Sequence, residues 1–118
     1  MDWDRVAANG SLHRFWKLLI AFRKRHPALR RAGFFDGARN QRGLADIEWH
    51  GCLVGAPGWN DGASRVLSFT LAGFDGDDDV HVILNMDDQP LDFQLPAVEA
   101  RGWRRAFDTA LPSPEDAA

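Results

Sequence analysis

The chain has 118 residues, a formal net charge of -3, 45% hydrophobic residues and a single cysteine, Cys52. This size suits one soluble domain, and an acidic chain lacks the clustered Lys and Arg that a nucleic-acid surface needs. A lone cysteine excludes an internal disulfide and a thiolate zinc site, and the lack of a spanning apolar run or signal-peptide pattern predicts a cytoplasmic protein that binds no membrane.

The strongest helix signal lies between Ser11 and Pro27. Apolar side chains recur there at helical spacing and cover roughly 200° of a helical wheel, about twice the width that a surface helix buries. Basic residues at Arg23–Arg25 suit the negative end of the helix dipole, and Pro27 ends the helix. One neighbour cannot cover so wide a face, so we predict that the helix joins two layers. Its predicted interaction face consists of Phe15, Trp16, Leu19 and Phe22.

The rest of the chain alternates between apolar and polar residues in short runs separated by turns. Strands are predicted within 33–37, 46–50, 65–72, 80–86, 91–95 and 103–107. Residues 1–5 are expected to be a linker or a cut end, and 28–31 to add one helical turn. In the third of these strands, Leu67, Phe69 and Leu71 are predicted to point inward and Ser68 and Thr70 outward. The chain from Leu111 onward has nothing left to bury. The pattern predicts an antiparallel β-sandwich preceded by one amphipathic helix.

Acidic residues cluster at Asp75–Asp79 and at Asp87–Asp88, which raises the question of an acid/base pair or a calcium loop. The first cluster lacks the spaced ligands and distal Glu of an EF-hand, and carboxylates at hairpin tips are expected to stay solvated. The chain's histidines are too scattered to predict a metal site, and His50 beside Trp49 is expected to pack rather than to catalyse. The sequence therefore predicts no catalytic residue, no metal and no cofactor.

Three tryptophans have the right chemistry to stack on a sugar ring, namely Trp49, Trp59 and Trp103. Alternation places Trp49 and Trp103 in the core. Trp59 lies in the turn-rich loop Gly55–Gly62, where an aromatic side chain is expected to be exposed. Trp59 is therefore the candidate carbohydrate-binding residue.

Motifs follow one another along nearly the whole chain in a specific order. They are Leu12-x-x-Phe15-x-x-x-Leu19-Ile20-x-Phe22-Arg23-x-x-His26-Pro27, Phe34-Phe35-x-Gly37, Asp46-Ile47-x-Trp49-His50-Gly51, Ser64-Arg65-x-Leu67-x-Phe69-x-Leu71, Asn85, Phe93-x-Leu95-Pro96, Trp103 and Asp108-Thr109-Ala110-Leu111-Pro112. In this order they resemble the C-terminal part of glycogen debranching enzymes and isoamylases, which belong to the α-amylase superfamily (glycoside hydrolase family 13). The chain departs from the family at Gly58-Trp59, where Asp-Trp is usual, and it stops at Ala118 where relatives continue into a final strand.

The resemblance implies that residues 1–31 are a linker and the last helix of a catalytic barrel. Residues 32–118 would form the β-sandwich domain behind that barrel, without the family's final strand. The family's Asp nucleophile, Glu acid/base and second Asp lie upstream of the matched region, so none is carried over to this chain. We therefore expect a detached or truncated C-terminal module of a debranching α-1,6-glucosidase in glycogen or starch metabolism, which stabilises the barrel and is not an enzyme by itself.

Two other functions stay open at this point. One is a free carbohydrate-binding module for α-glucan that uses Trp59, and the other is an interaction module that docks through its helix. The expected partners are accordingly a catalytic barrel of a debranching enzyme, a second copy of the chain in a homodimer, or a weakly bound α-glucan. Binding to immobilised glucan and the mass in solution distinguish these alternatives.

Overall fold

The computed structural model of the protein describes residues 2–118. Its elements are, in chain order, α1 (Asp4–Ala8), α2 (Gly10–Arg25), a 3₁₀ helix (Pro27–Arg30), β1 (Ile47–His50), β2 (Val66–Leu71) and β3 (Val80–Asn85). The strands form one antiparallel sheet in the order β1-β2-β3. The prediction of a mainly β, antiparallel fold preceded by an amphipathic helix is confirmed, and the described residues form one three-stranded sheet where a sandwich has two sheets.

The chain forms two compact units. One contains the residues up to Arg25 together with Trp103–Ala118, and the other is His26–Gly102. The predicted division of the chain after residue 31 stays a prediction. In the part of the chain that the structure describes, no helix has the length and apolar character needed to cross a membrane.

The long helix ends where the sequence predicts. His26 leaves helical angles, with φ -104° and ψ 102°, and Pro27 then opens the 3₁₀ helix that supplies the extra turn. The linker predicted at residues 1–5 is wrong from Asp4 onward, because α1 begins there, while Met1 lies outside the described residues. The side chain of Asn9 donates to the carbonyl of Arg5 at 2.9 Å, which closes α1 just before α2 begins.

The C-terminal segment packs against α2, and the burial of Asp116 corrects the prediction that the chain from Leu111 onward has nothing to bury. The ring of Phe107 meets Phe15 and Phe22 edge to face, with ring centres 5.7 and 5.2 Å apart. Arg14 of α2 donates to Asp116 at 2.8 Å, and Asp116 is only 8% exposed. A charged helix residue thus supplies the partner that allows the Asp116 carboxylate to be buried, while residues 112–115 stay exposed.

The sheet has an apolar face and a polar face. Trp49, Phe69 and Val82 lie opposite one another on the apolar face, while Glu48, Thr70 and His81 do so on the other. Ser68 and Thr70 lie on the face opposite Phe69, as predicted, but they do not face solvent. Both are enclosed, with 0% and 1% exposure, so the prediction that they point outward is wrong. Their hydroxyl groups find partners in the interior, so the polar side of the strand does not need water.

The three strands of the sheet are predicted correctly, to within one residue at each end. The strands predicted at 33–37, 91–95 and 103–107 are wrong. Phe34 and Phe35 lie in an irregular segment. The backbone of Gln94 makes a single bond to the carbonyl of Cys52 at 2.8 Å, and Phe107 forms one isolated bridge with Ala117. Alternation alone does not make a strand, because a strand also needs a neighbouring backbone along its whole length.

Candidate functional site: the Trp59 loop, the sheet beneath it and the helix face

The candidate sugar-binding residue, Trp59, lies on an exposed loop, 64% exposed. We call residues 51–65 the Trp59 loop. Backbone bonds from Asp61 to Gly58 at 2.9 Å and from Ser64 to Asp61 at 3.1 Å shape its tip, and Gly58 adopts a positive φ of 71° that favours glycine. The indole of Trp59 meets the ring of Trp49 at 5.6 Å. The loop therefore presents an ordered aromatic ring to solvent.

Trp49 is predicted as a core residue, but it is 39% exposed. One side of its ring packs on Phe69, with ring centres 5.3 Å apart, and the Trp59 ring contacts it as well. The reason is its position on β1, which is an edge strand of the described sheet, so its side chain has a sheet neighbour on one side only. Trp103 is half-buried.

A buried chain of hydrogen bonds ties the Trp59 loop to the polar face of the sheet. The N–H of Gly55 donates to Nδ1 of His50 at 2.8 Å, so His50 carries its proton on Nε2 and donates it to Thr70 Oγ1 at 3.0 Å. The Thr70 hydroxyl hydrogen is then available to His81 Nδ1 at 2.8 Å. Ser68 adds a bond to the carbonyl of Gly51 at 2.9 Å. This arrangement needs both imidazoles neutral.

Burial and the neighbouring His50 ring lower the pKa of His81 below its ordinary value. The structure thus brings together two histidines that are far apart in sequence, with ring centres 5.7 Å apart. Their hydrogen bonds run to a hydroxyl group and to the backbone, which agrees with the packing role expected for His50. Among residues 2–118, no group of His, Cys, Asp and Glu is arranged to hold a metal ion.

The acidic loop Asp75–Asp79 is only partly solvated, contrary to the prediction. Asp75 and Asp78 are exposed, whereas Asp77 lies 3.0 Å from His26 Nδ1. Asp79 accepts two bonds from Arg42 at 2.7 Å, and its side chain is only 5% exposed. Further bonds to Asp79 come from Asn40 at 2.9 Å and the Gly73 N–H at 2.8 Å.

The local charges keep this buried pair ionised. Burial by itself raises the pKa of Asp79, but the hydrogen bonds from Arg42 and Gly73 outweigh it and leave the pKa below its ordinary value. The hydrogen bond to Asp79 in turn raises the pKa of Arg42. The arrangement holds the loop before β3 to the segment before β1.

In the second acidic cluster, Asp87 accepts the N–H of Gln89 at 3.1 Å and closes an exposed turn.

The predicted interaction face of α2 divides between covered and exposed residues. Phe15 and Phe22 contact Phe107, and Leu19 is half-buried. Trp16 is 57% exposed, and it is flanked one turn away on either side by two further exposed side chains, Leu12 and Ile20. We call Leu12, Trp16 and Ile20 the helix ridge. Sequence periodicity identified the width of the face, but it gave no signal for which side the C-terminal segment would cover.

The whole arrangement can be compared with known protein families. A family model described as "Isoamylase 1-3, C-terminal" matches residues 48–118. The chain belongs to the isoamylase family. It is 30% identical over 115 residues to isoamylase SU1 of Zea mays, a match that covers 97% of this chain and 13% of the maize protein. No solved structure matches the chain.

Other isoamylases match in the same way. Isoamylase 3 of Oryza sativa subsp. japonica is 30% identical over 117 residues, covering 98% of this chain and 13% of the rice protein. An isoamylase of a Flavobacterium species is 30% identical over 116 residues, covering 92% of this chain and 15% of the bacterial protein. The chain thus spans a small part of these isoamylases, their C-terminal part. Nearly all of residues 1–47 also match them, although the C-terminal family model begins only at residue 48.

Proposed function

We propose that the chain is the C-terminal accessory portion of an isoamylase-type debranching enzyme, an α-1,6-glucosidase of glycoside hydrolase family 13. Its role is to stabilise the catalytic barrel rather than to carry out chemistry. The observation that carries this proposal is the position of the match, because the chain covers only 13% of the maize isoamylase and lies in its C-terminal part. We include a cytoplasmic location in the proposal, although the maize and rice relatives are named as chloroplastic.

The helix ridge supports docking onto a larger partner. Phe107 already covers the side of α2 that carries Phe15 and Phe22, so Leu12, Trp16 and Ile20 do not serve that internal contact. Three large apolar side chains in one row form a surface whose burial against a partner lowers the free energy, because the partner excludes water from it. A catalytic domain next in sequence is the partner that the family match favours.

The enclosed carboxyl groups support a structural role. A glycosidase general acid needs a raised pKa so that it holds a proton near neutral pH. Burial raises the pKa of Asp46 and of Asp79, but hydrogen bonds reverse the effect and the net pKa of each lies below its ordinary value. Asp46 accepts the N–H groups of Asp36, Gly37 and Ile47 at 2.7, 3.1 and 2.8 Å. Both carboxylates thus fix loops.

Grafting tests the proposal directly. In the Flavobacterium isoamylase, the matched C-terminal region is replaced by this chain, and the chimera is compared with the same enzyme truncated before that region. We expect the truncated enzyme to lose soluble, active protein and the chimera to recover both. The isolated chain should release no reducing sugar from pullulan or glycogen. Activity of the repurified isolated chain, or a chimera no better than the truncated enzyme, would contradict the proposal.

A second candidate function is α-glucan binding at Trp59. The observation in its favour is that the indole is 64% exposed yet held against Trp49. An ordered aromatic ring loses little conformational freedom when a sugar ring stacks on it. Retention of the chain on immobilised glycogen, and loss of that retention in Trp59→Ala, would support this function. Retention that is unchanged in Trp59→Ala would exclude Trp59 as the binding residue.

A further inference from the structure

The segment between the 3₁₀ helix and β1 carries exposed aromatic residues beside a half-buried arginine. Phe34 is 98% exposed and Phe35 is 47% exposed. The guanidinium carbon of Arg31 lies 5.0 Å from the ring centre of Phe35 and 5.7 Å from that of Phe74. Arg31 and Phe74 also line an open depression of about 340 Å³. We call Arg31, Phe34, Phe35 and Phe74 the Arg31 surface.

The guanidinium of Arg31 has unused capacity to donate hydrogen bonds. It lies beside the carboxylate of Asp46, at 3.8 Å from Nη2, and Asp46 already accepts three backbone N–H groups. The Nε atom is enclosed, and it makes no hydrogen bond to any residue in the range 2–118. A buried donor on a permanently charged group strongly favours a nearby acceptor. An oxygen from a partner cannot reach the enclosed Nε, so the donors that the side chain offers to such an acceptor are its Nη atoms, of which Nη2 lies 3.8 Å from Asp46.

The comparisons indicate where that acceptor comes from. Residues 31–35 lie before residue 48, where the C-terminal family model begins. They nevertheless fall within the maize match, which covers 97% of this chain. In isoamylases this segment is therefore continuous with the much larger part of the polypeptide that precedes the C-terminal domain. An exposed Phe beside an Arg stacked on aromatic rings has the composition of an interface centre.

We propose that the Arg31 surface is an interface for the preceding, larger portion of an isoamylase polypeptide. That portion covers Phe34 and Phe35 and offers a carboxylate or main-chain carbonyl oxygen to Arg31. The inference rests on the proposed function, because it takes an isoamylase catalytic portion as the partner. It goes beyond that function by assigning a second contact surface, made of residues other than those of the helix ridge, with a defined chemistry.

Thiol labelling of the Flavobacterium chimera tests the interface. The background substitution Cys52→Ser removes the natural thiol, and Phe34→Cys introduces a reporter. Because Phe34 is almost fully exposed, the introduced thiol should react rapidly with a maleimide in the isolated chain. In the chimera we expect labelling to slow by about tenfold or more. The control substitution Asp92→Cys, at an exposed residue, should give a thiol that reacts equally fast in both proteins.

Substitution of Arg31 provides the second readout. Arg31→Lys keeps the charge but lacks the planar donor group, so it should lower the melting temperature of the chimera more than that of the isolated chain. Equal effects in both proteins, with the Phe34→Cys thiol equally reactive in both, would overturn the interface while leaving the proposed function intact. A chimera no more stable than the truncated isoamylase overturns the proposed function and this inference with it. Protection of the same thiol in the isolated chain that grows with concentration assigns the surface to a second copy and also overturns the inference.

Discussion

Asp79 determines the conformation of the loop between β2 and β3. Its carboxylate receives hydrogen bonds from Asn40 and Arg42 and from Gly73 of its own loop, and so joins that loop to a segment more than 30 residues earlier in the chain. Gly73 is required at this point, because a Cβ there would meet the backbone carbonyls of Asp77 and Asp78. The sequence pattern showed only an acidic turn, since nothing in it identified Arg42 as the partner.

Asp79→Asn should destabilise the protein by about 2 to 3 kcal/mol, because it leaves the half-buried Arg42 guanidinium without its counter-charge. Urea unfolding at neutral pH, followed by tryptophan fluorescence, measures the loss. Asp75→Asn removes the same charge from an exposed residue, so it should change the free energy of unfolding by less than about 0.5 kcal/mol. If both variants have equal stability, the ion pair contributes little to the loop.

Acid should weaken the protein in two steps. The pKa of His81 in the folded state lies below the ordinary 6.5, so the unfolded chain binds a proton more readily and stability falls as the pH drops below about 6.5. Asp79 and Asp46 have folded pKa values below the ordinary 3.8, so their contribution is present above that pH and is lost as the pH falls through the folded values.

His81→Asn tests the first step. It keeps a hydrogen-bonding atom near Thr70 but removes the titrating ring. The free energy of unfolding should therefore depend less steeply on pH, in a comparison from about 7.5 to about 5.5, than in the unchanged chain. His13→Asn is the matched control, because His13 is exposed on α2. An unchanged slope in His81→Asn would mean that His81 does not govern this pH range.

At the scale of the elements, helical periodicity and strand alternation predicted α2, β1, β2 and β3, because each has a strong local pattern. The failures share one physical cause. The local pattern predicts strands at Phe34–Phe35 and Leu91–Leu95, but the described chain offers them no continuous backbone to pair with. Likewise, the enclosure of Ser68 and Thr70 depends on the loop that carries Gly51 and Gly55, a tertiary contact that alternation does not encode.

The sequence predicted two parts of the candidate site and did not predict a third. The turn-forming residues around Trp59 correctly predicted an exposed loop, and the helical spacing of apolar residues predicted the wide apolar face of α2. The sequence pattern does not predict the Arg31 surface, because it predicts a strand for Phe34 and Phe35. The available signal was an arginine close in sequence to two adjacent aromatic residues, which suits cation–π stacking.

The C-terminal segment should stabilise α2. Phe107→Ala removes the ring that meets Phe15 and Phe22, and we expect a loss of about 2 kcal/mol, below the cost for a fully buried Phe because Phe107 is half-buried. Hydrogen exchange should show faster opening of α2 amides in this variant. Leu12→Ala, on the exposed helix ridge, should leave those amides unchanged. Equal protection in Phe107→Ala would show that α2 is held by other contacts.

At the scale of the whole molecule, two features of the isolated chain favour self-association. The helix ridge exposes Leu12, Trp16 and Ile20, and the outer edge of β3 has no partner strand among the described residues. When the natural partner is missing, a second copy of the chain can bury the apolar surface and pair with the open strand edge. Both contacts lower the free energy of the dimer relative to the separate chains. If the ridge normally docks on a catalytic domain, a dimer of the isolated chain is its substitute.

Light scattering at micromolar concentration should therefore show a mass that rises with concentration toward that of a dimer. Trp16→Lys places a charge in the middle of the helix ridge and should shift the equilibrium toward the monomer, because burying an unpaired charge opposes association. Ser11→Lys adds the same charge at an exposed residue outside the ridge and should leave the mass unchanged. If Trp16→Lys remains dimeric, association runs through the β3 edge instead. A monodisperse monomer of the unchanged chain would mean that the ridge tolerates water, and it would remove self-association as an argument for docking through α2.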